Sequence, residues 1–394
     1  MRVALVNNFF PPRPSGSAHI TEELARRLTA RGFDVLVLTA SYAGAPADER
    51  RDGYRVVRLP SRVLPQTTLS MRFDISFAFS PRNLRRLFEI LDGFAPDVIH
   101  QHGQFFDLTF MSSFYARRRR VLVVLSVHTR LEHPSRPHAL ALWLADMTLV
   151  RAFMALSRPH VIVTDTLMQH YIRRRYRLPT SRTTWIPVGV DPSQFRGLGD
   201  GQQLRERLDI GDRPVVLSLG HVIFVRDRIP LIEALPALLE KRPDVAVVVV
   251  GTVYDDRFAR RAEELGVRHA LVVTGGVPRD AIRDYLAIAA VETHDLQGYG
   301  LGTTSLEAMA AGVPVVAVVQ PDNYPGVELR SGRNLVIVPP HEPRALADEI
   351  LRLLDEPAWA DEVARGEQQL IDAHFTLDRI VDEHVADYER VRGS

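Results

Sequence analysis

An α/β fold built from two doubly wound parallel sheets in tandem is predicted by three features of this chain. Short β-branched and aliphatic runs alternate with helix-period segments from end to end. Those runs are almost uninterrupted in Val, Ile and Leu, as in parallel strands buried on both faces. The rhythm breaks once, at TTWIPVGVDPSQFRGLGDG, and then restarts, which sets a linker near 186–200. A length of 394 residues also exceeds one ordinary core.

In the first half, RVALVNN reads as a strand, and HITEELARRLTARG places Ile20, Leu24 and Leu28 on one helix face with Gly32 as its stop. FDVLVLTA, DVIHQH, RVLVVLSVH and HVIVTD are the following strands. The second half restarts with PVVLSLGH, a helix near 229–241, then VAVVVVG, ALVVTGG, AAVETHD, VPVVAVV and NLVIVPP. A helical tail from His374 carries Ile380, Val385 and Tyr388. The expected domains are residues 1–187, 188–373 and a C-terminal helix, 374–394, crossing back to the first domain.

Composition narrows the function. With 49 basic against 48 acidic residues the net charge is +1, so no global field recruits nucleic acid. Lys241 is the single lysine, and the abundant arginines suit phosphate and carboxylate contacts. The absence of Cys excludes disulfides, thiolate nucleophiles and Cys-ligated zinc. The pair His100 and His102 lacks a carboxylate partner and does not read as a metal site. MRVALVNNFF lacks the apolar length of a secretory signal, and no run of about 18 apolar residues announces a transmembrane helix. A cytoplasmic chain with peripheral contact to the inner face of a membrane is expected.

Ligands of open parallel sheets bind beyond the carboxyl ends of the strands. The loops to inspect are therefore 7–17, 101–107, 128–138, 220–228 and 294–304. LQGYGLGTTSLEAMAAGVPVVA holds Gly298, Gly300 and Gly302, then a helix from Leu306 to Ala311 ended by Gly312. Free amides and the positive pole of a helix N-terminus form a ready diphosphate site, and Glu307, one turn in, is placed to accept bonds from a ribose diol. A packed βα turn accounts for the same glycines. GHVIFVRDR brings Arg226 and Arg228 after a strand, either to neutralise a diphosphate or as solvated loop arginines. FFPPRPSGSAH is not Gly-x-Gly-x-x-Gly, which counts against a nicotinamide dinucleotide. His128 ends its strand at the same edge.

Taken in order, these segments resemble glycosyltransferase family 4, retaining enzymes of the GT-B fold with two facing Rossmann-like domains and an interdomain cleft. The resemblance covers most of the chain: FFPPRPSGSAHITEELARRLTARGFDVLVLT, APDVIHQHG, SVHT, IPVGVDPSQF, LEAMAAGVPVVA and GRNLVIVPPHEPRALADEILRLL. It implies a hexosyltransferase that moves a hexose from a UDP- or GDP-linked donor to an acceptor hydroxyl, with no divalent metal and no cofactor. The N-terminal domain would bind the acceptor and the C-terminal domain the nucleotide sugar. Glu307 would hold the ribose, the amides of Gly302, Thr303 and Thr304 the diphosphate, with Gly300 and Leu301 also binding the donor, and Gly16 would approach the phosphates or sugar. His128 matches the histidine near the reacting sugar, and Arg226 stands where a lysine is usual.

Three positions depart from the pattern. Tyr299 occupies the place of a carboxylate eight residues before Glu307, which makes Asp295 the candidate for the donor sugar. His221 replaces an arginine after Gly220, leaving the phosphates to Arg226 or Arg228. Ser15–Gly16 replaces Gly-Gly. These departures keep open a non-catalytic nucleotide-sugar-binding GT-B protein, or a sugar-nucleotide epimerase of the same fold. MRFDISFAFSPRNLRRLFEIL and FYARRRRV mix Phe, Leu and Arg in a way that suits an anionic lipid surface, although packed helix faces give the same pattern. SVHTRLEHP adds a resemblance to enzymes that glycosylate diacylglycerol lipids, so the acceptor is expected to be a lipid, a lipid-linked glycan or a small molecule.

Overall fold

The computed structural model describes residues 1–394 except 14, 66, 68–73, 225, 294, 299 and 394. It has two compact units: Met1–Pro187 together with Asp378–Ser394, and Val188–Leu377. The tail joins the first unit at Asp378, where the sequence reading set the boundary at His374. Residues up to Leu377 stay with the second unit because Phe375 packs on Tyr324 and accepts a bond from the Val190 amide at 2.8 Å.

The first unit holds an eight-stranded sheet. Its order is Thr183–Trp185, His160–Val163, Leu122–Val127, Val98–His102, Arg2–Val6, Asp34–Ala40, Tyr54–Leu59 and Asp48–Arg51. All neighbours are parallel except the last pair. Alternation along the first strand shows why both faces are apolar. Val3 and Leu5 pack with Leu24 and Leu28 of the helix Gly16–Ala30, while Ala4 and Val6 pack on the other side with Leu87, Leu91 and Leu108. The C-terminal helix Leu377–Arg392 completes the first of these cores with Ile380, Val381 and Tyr388. The antiparallel edge turns at Asp52–Gly53, both with positive φ, the pair that favours a two-residue hairpin.

In the second unit, Leu271–Gly275, Ala246–Val250, Val215–Leu219 and Ala289–Glu292 form a parallel sheet in that order. A bridge from Glu292 to Val315 extends it to the short pair Val316–Ala317 and Val336–Ile337. In each sheet the order reverses around the unit's first strand, so the loops after Val6 and after Leu219 open at a switch point. The loop after Glu292 lies beside the second of these.

One helical segment runs against expectation. Arg136–Ser157, 22 residues, is long and apolar enough by composition to cross a bilayer. Asp146 and Arg151 interrupt the run in the sequence and hide it from a search for uninterrupted apolar residues.

Candidate donor-binding site

The second unit builds the site from three loops. The helix Thr303–Ala311 starts where the sequence placed a phosphate pole, capped by Gly302 in extended backbone. Its first intrahelical bond runs from the Leu306 amide to the Gly302 carbonyl, so the amides of Thr303 and Thr304 precede the ladder. Glu307 is fully buried one turn in, and its carboxylate pairs with the guanidinium of Arg279. Arg279 is 44% exposed and also lies 5.7 Å from the Phe195 ring. In this state the candidate ribose acceptor therefore has an arginine for a partner.

The glycine-rich loop is held more firmly than its sequence reveals. Gly300 has φ 86°, and a Cβ there would stand 2.5 Å from Asn323 Nδ2 and 3.1 Å from the Tyr324 hydroxyl. Leu301 is buried and donates its amide to the Tyr324 oxygen at 2.7 Å. Both were expected at the donor, but the structure uses them to seat the loop on the 320–326 turn. The Gly302 amide, expected on the diphosphate, donates to Asp295 at 2.5 Å. That carboxylate also accepts from Ser305 Oγ at 3.0 Å and lies 3.4 Å from Arg226 Nε. Asp295 is thus a buried cap on the helix start, where an anion is favoured by the dipole, rather than a group held out toward a sugar. Tyr299 lies outside the described residues.

The arginines after Gly220 divide the work. Arg226 is 38% exposed, and its terminal nitrogens lie close over Gly302, about 3 Å from where a Cβ would be. Arg228 was expected on the phosphates, yet it is fully buried and donates to the Gly220 carbonyl at 2.9 Å and the Arg226 carbonyl at 2.5 Å. Burial lowers its pKa to about 10, an effect that the carboxylates of Glu292 and Asp295 oppose. Its role is to set the conformation of the loop that carries Arg226. His221 stands edge-on to Tyr254 at 5.8 Å, and burial, followed by the charges of Arg226 and Arg228, lowers its pKa. A neutral imidazole there adds no positive charge for a phosphate.

Within the first unit, His128 follows the strand Leu122–Val127 and stacks on His102, with ring planes 9° apart and His102 Nδ1 at 3.1 Å from His128 Nε2. His102 stacks in turn on His100, which bonds to Tyr388 Oη at 2.6 Å and Ser126 Oγ at 2.7 Å. Burial pushes His128 down to about 4, and the charge of His384 pushes it the same way. The buried His128 Nδ1 has no hydrogen-bond partner among the described residues. Gly16 is exposed at the start of its helix, and a Cβ there would meet nothing within 4 Å, so packing within the fold does not demand glycine.

The segments read as lipid-facing are engaged within the fold only in part. Residues 71–73 lie outside the described residues, and the helix Pro81–Phe94 buries Leu87 and Leu91. Arg119 pairs with Asp92 at 2.7 Å, while Phe77, Phe79 and Phe114 are exposed. Sequence reasoning missed Arg279, Asn323, Tyr324 and His102. The first three lie in loops following the strands ALVVTGG and VPVVAVV, where the rule that ligand groups gather at strand carboxyl ends would have found them.

Comparison with known proteins identifies the family and the fold. The profile of Glycosyltransferase Family 4 matches residues 14–194, and that of Glycosyl transferases group 1 matches residues 200–369. The GDP-mannose-dependent alpha-(1-6)-phosphatidylinositol monomannoside mannosyltransferase of Mycolicibacterium smegmatis is 30% identical over 79% of this chain and 79% of its own length. Alpha-monoglucosyldiacylglycerol synthase of Streptococcus pneumoniae is 25% identical over 80% of this chain and 71% of its own. Among solved structures, Anabaena HepE in complex with UDP and glucose superposes with a TM-score of 0.75 at 18% identity, covering 99% of this chain and all of that one.

Proposed function

The chain belongs to glycosyltransferase family 4, and from that premise we propose that it transfers a hexose, with retention, from a nucleoside diphosphate sugar to a hydroxyl of a membrane lipid or lipid-linked glycan. The observation that carries the donor half is the buried Glu307 one turn inside a helix whose N-terminal pole is faced by Arg226. A ribose diol donating to Glu307 would displace Arg279 from it and leave the diphosphate near the amides of Thr303 and Thr304. There the helix pole and Arg226 would stabilise the charge that develops as the sugar–phosphate bond breaks. In this reading the helix pole and the guanidinium of Arg226, which also faces Asp295, take the place of a divalent ion.

The acceptor half is supported by the activities of the relatives, one acting on a phosphatidylinositol mannoside and another making a glucosyldiacylglycerol. His128, held neutral, is suited to accept a hydrogen bond near the reacting sugar but not to supply a positive charge. The acceptor would be met on the cytoplasmic side of a membrane.

The test is incubation with UDP- and GDP-sugars, with and without a lipid extract, following nucleotide release and the anomeric configuration of the product. Lipid-dependent release with retained configuration, undiminished by EDTA, is expected. Tight donor binding without turnover under every acceptor, or abolition by EDTA, would refute the reading.

A further inference from the structure

The helical segment Arg136–Ser157 has an inner and an outer face of different character. It runs as α-helix to Ala145, as a π turn over Asp146–Val150 and as α-helix again to Ser157. Val150, Phe153 and Met154 point inward to a core with Leu125, Val163 and Ile172. Asp146 is buried and accepts bonds from the hydroxyls of Tyr171, at 2.6 Å, and Tyr176. The outer face carries Leu140, Trp143, Leu144, Leu149 and Leu156, exposed by 57, 42, 49, 67 and 61%. Residues 140, 144, 148, 152 and 156 recur every fourth position, which would drift around a plain α-helix. The wider π turn absorbs part of that drift and keeps the exposed side chains together.

No exposed acidic side chain interrupts this face. Asp146, the only carboxylate in the segment, is turned inward, while Arg136 and Arg151 lie within the helix and Arg158 just beyond it. Arg117 adds a guanidinium at the same end, donating to the Leu156 carbonyl at 3.1 Å. Between residues 117 and 177 the sequence has 12 arginines and 3 carboxylates, in a chain whose net charge is only +1. A contiguous apolar face bordered by cations, with Trp at its edge, fits the boundary between headgroups and acyl chains.

We propose that this helix lies flat in the surface of an anionic phospholipid bilayer, with its leucines in the acyl boundary and the flanking arginines on headgroup phosphates. This deepens the lipid-acceptor reading by naming where the chain meets the lipid. The inward anchoring of Asp146 and Phe153 holds the helix against its own domain, so it lies on the membrane rather than spanning it. A second copy is a poorer occupant, because two faces with the same local positive charge would repel.

The full chain is mixed with vesicles of phosphatidylcholine alone or with phosphatidylglycerol added, and binding is read by co-sedimentation. Binding to the anionic vesicles, weakened by salt, is expected. Leu144→Glu with Leu149→Glu should reduce it by roughly tenfold per leucine. Because Leu149 is mostly and Leu144 half exposed, the melting temperature should change little. A second readout needs no charged variant: Trp143 fluorescence should be quenched by brominated lipid, and Trp143→Phe should remove that quenching. No binding to anionic vesicles, binding unaffected by the double variant, no quenching of Trp143, or loss of a lipid-free dimer in the variant would each overturn the proposal. Binding is measured without donor, and transfer on detergent-dispersed acceptor should survive the double substitution, so failure here is distinguishable from failure of the transferase reading.

Discussion

The histidine stack of the first unit makes this chain sensitive to mild acid. His128 falls from an ordinary 6.5 to about 4 because burial disfavours the imidazolium. His100 and His102 are pushed well below 6.5, by burial first and then by the rings beside them. The unfolded chain protonates these rings near 6.5, while the folded chain resists until far lower. Stability is therefore complete above about pH 6.5 and is lost as pH falls toward 4. At about 1.4 kcal/mol per pH unit, His128 alone contributes at most about 3.5 kcal/mol, and nearer ~2 given its partial contact with solvent. That is a large share of the roughly 5–15 kcal/mol expected of a domain. Unfolding measured from about pH 7.5 to 5 should show a falling midpoint, and His128→Asn should flatten the slope. Histidine Cε1 resonances should show a ring that does not titrate near 6.5. A His128 titrating at its ordinary value, or a flat midpoint, would refute the argument.

Two other outcomes follow from the donor site. Glu307→Gln should weaken GDP or UDP by roughly 10- to 100-fold, since it replaces charge-assisted acceptance from a ribose diol, and dideoxyribose analogues should lose far less. Calorimetric titration decides between the two. Gly300→Ala should lower the melting temperature by several degrees, because φ 86° and the approach of Asn323 to 2.5 Å put strain of about 1–3 kcal/mol on any side chain there.

The strands were legible because apolar runs buried on both faces read directly as parallel β, and all eleven read from the sequence overlap strands of the two sheets or their extension; the difference is that VPVVAVV and NLVIVPP shrink to Val316–Ala317 and Val336–Ile337. What escaped was information carried by partners far away in sequence. The edge hairpin at Asp52–Gly53 is signalled locally, but its strand DERR is too polar to show a pattern. Arg228 looks like any loop arginine until the carbonyls it holds are seen. Arg279 reaches Glu307 across 28 residues, which no periodicity reports. The helix Arg136–Ser157 shows its apolar face only once Asp146 is seen pointing inward.

The opposed readings of the glycine-rich loop, packing against ligand binding, meet at Arg226. Packing accounts for Gly300 and Leu301, and Asp295 already occupies the Gly302 amide. A helix N-terminus carries only about half a positive charge, which one carboxylate more than offsets. A diphosphate arriving beside Asp295 would meet repulsion unless a cation served both anions. Arg226 has the shape for that: its Nε faces Asp295 at 3.4 Å while its terminal nitrogens lie over Gly302. A guanidinium directs five N–H groups around a plane and can hold two carboxylate-like partners at once, whereas an ammonium on a flexible stem cannot fix both directions. The arginine at position 226 and the carboxylate at position 295 are therefore one arrangement rather than two independent features. The phosphate reading of the loop depends on that side chain more than on any of its glycines.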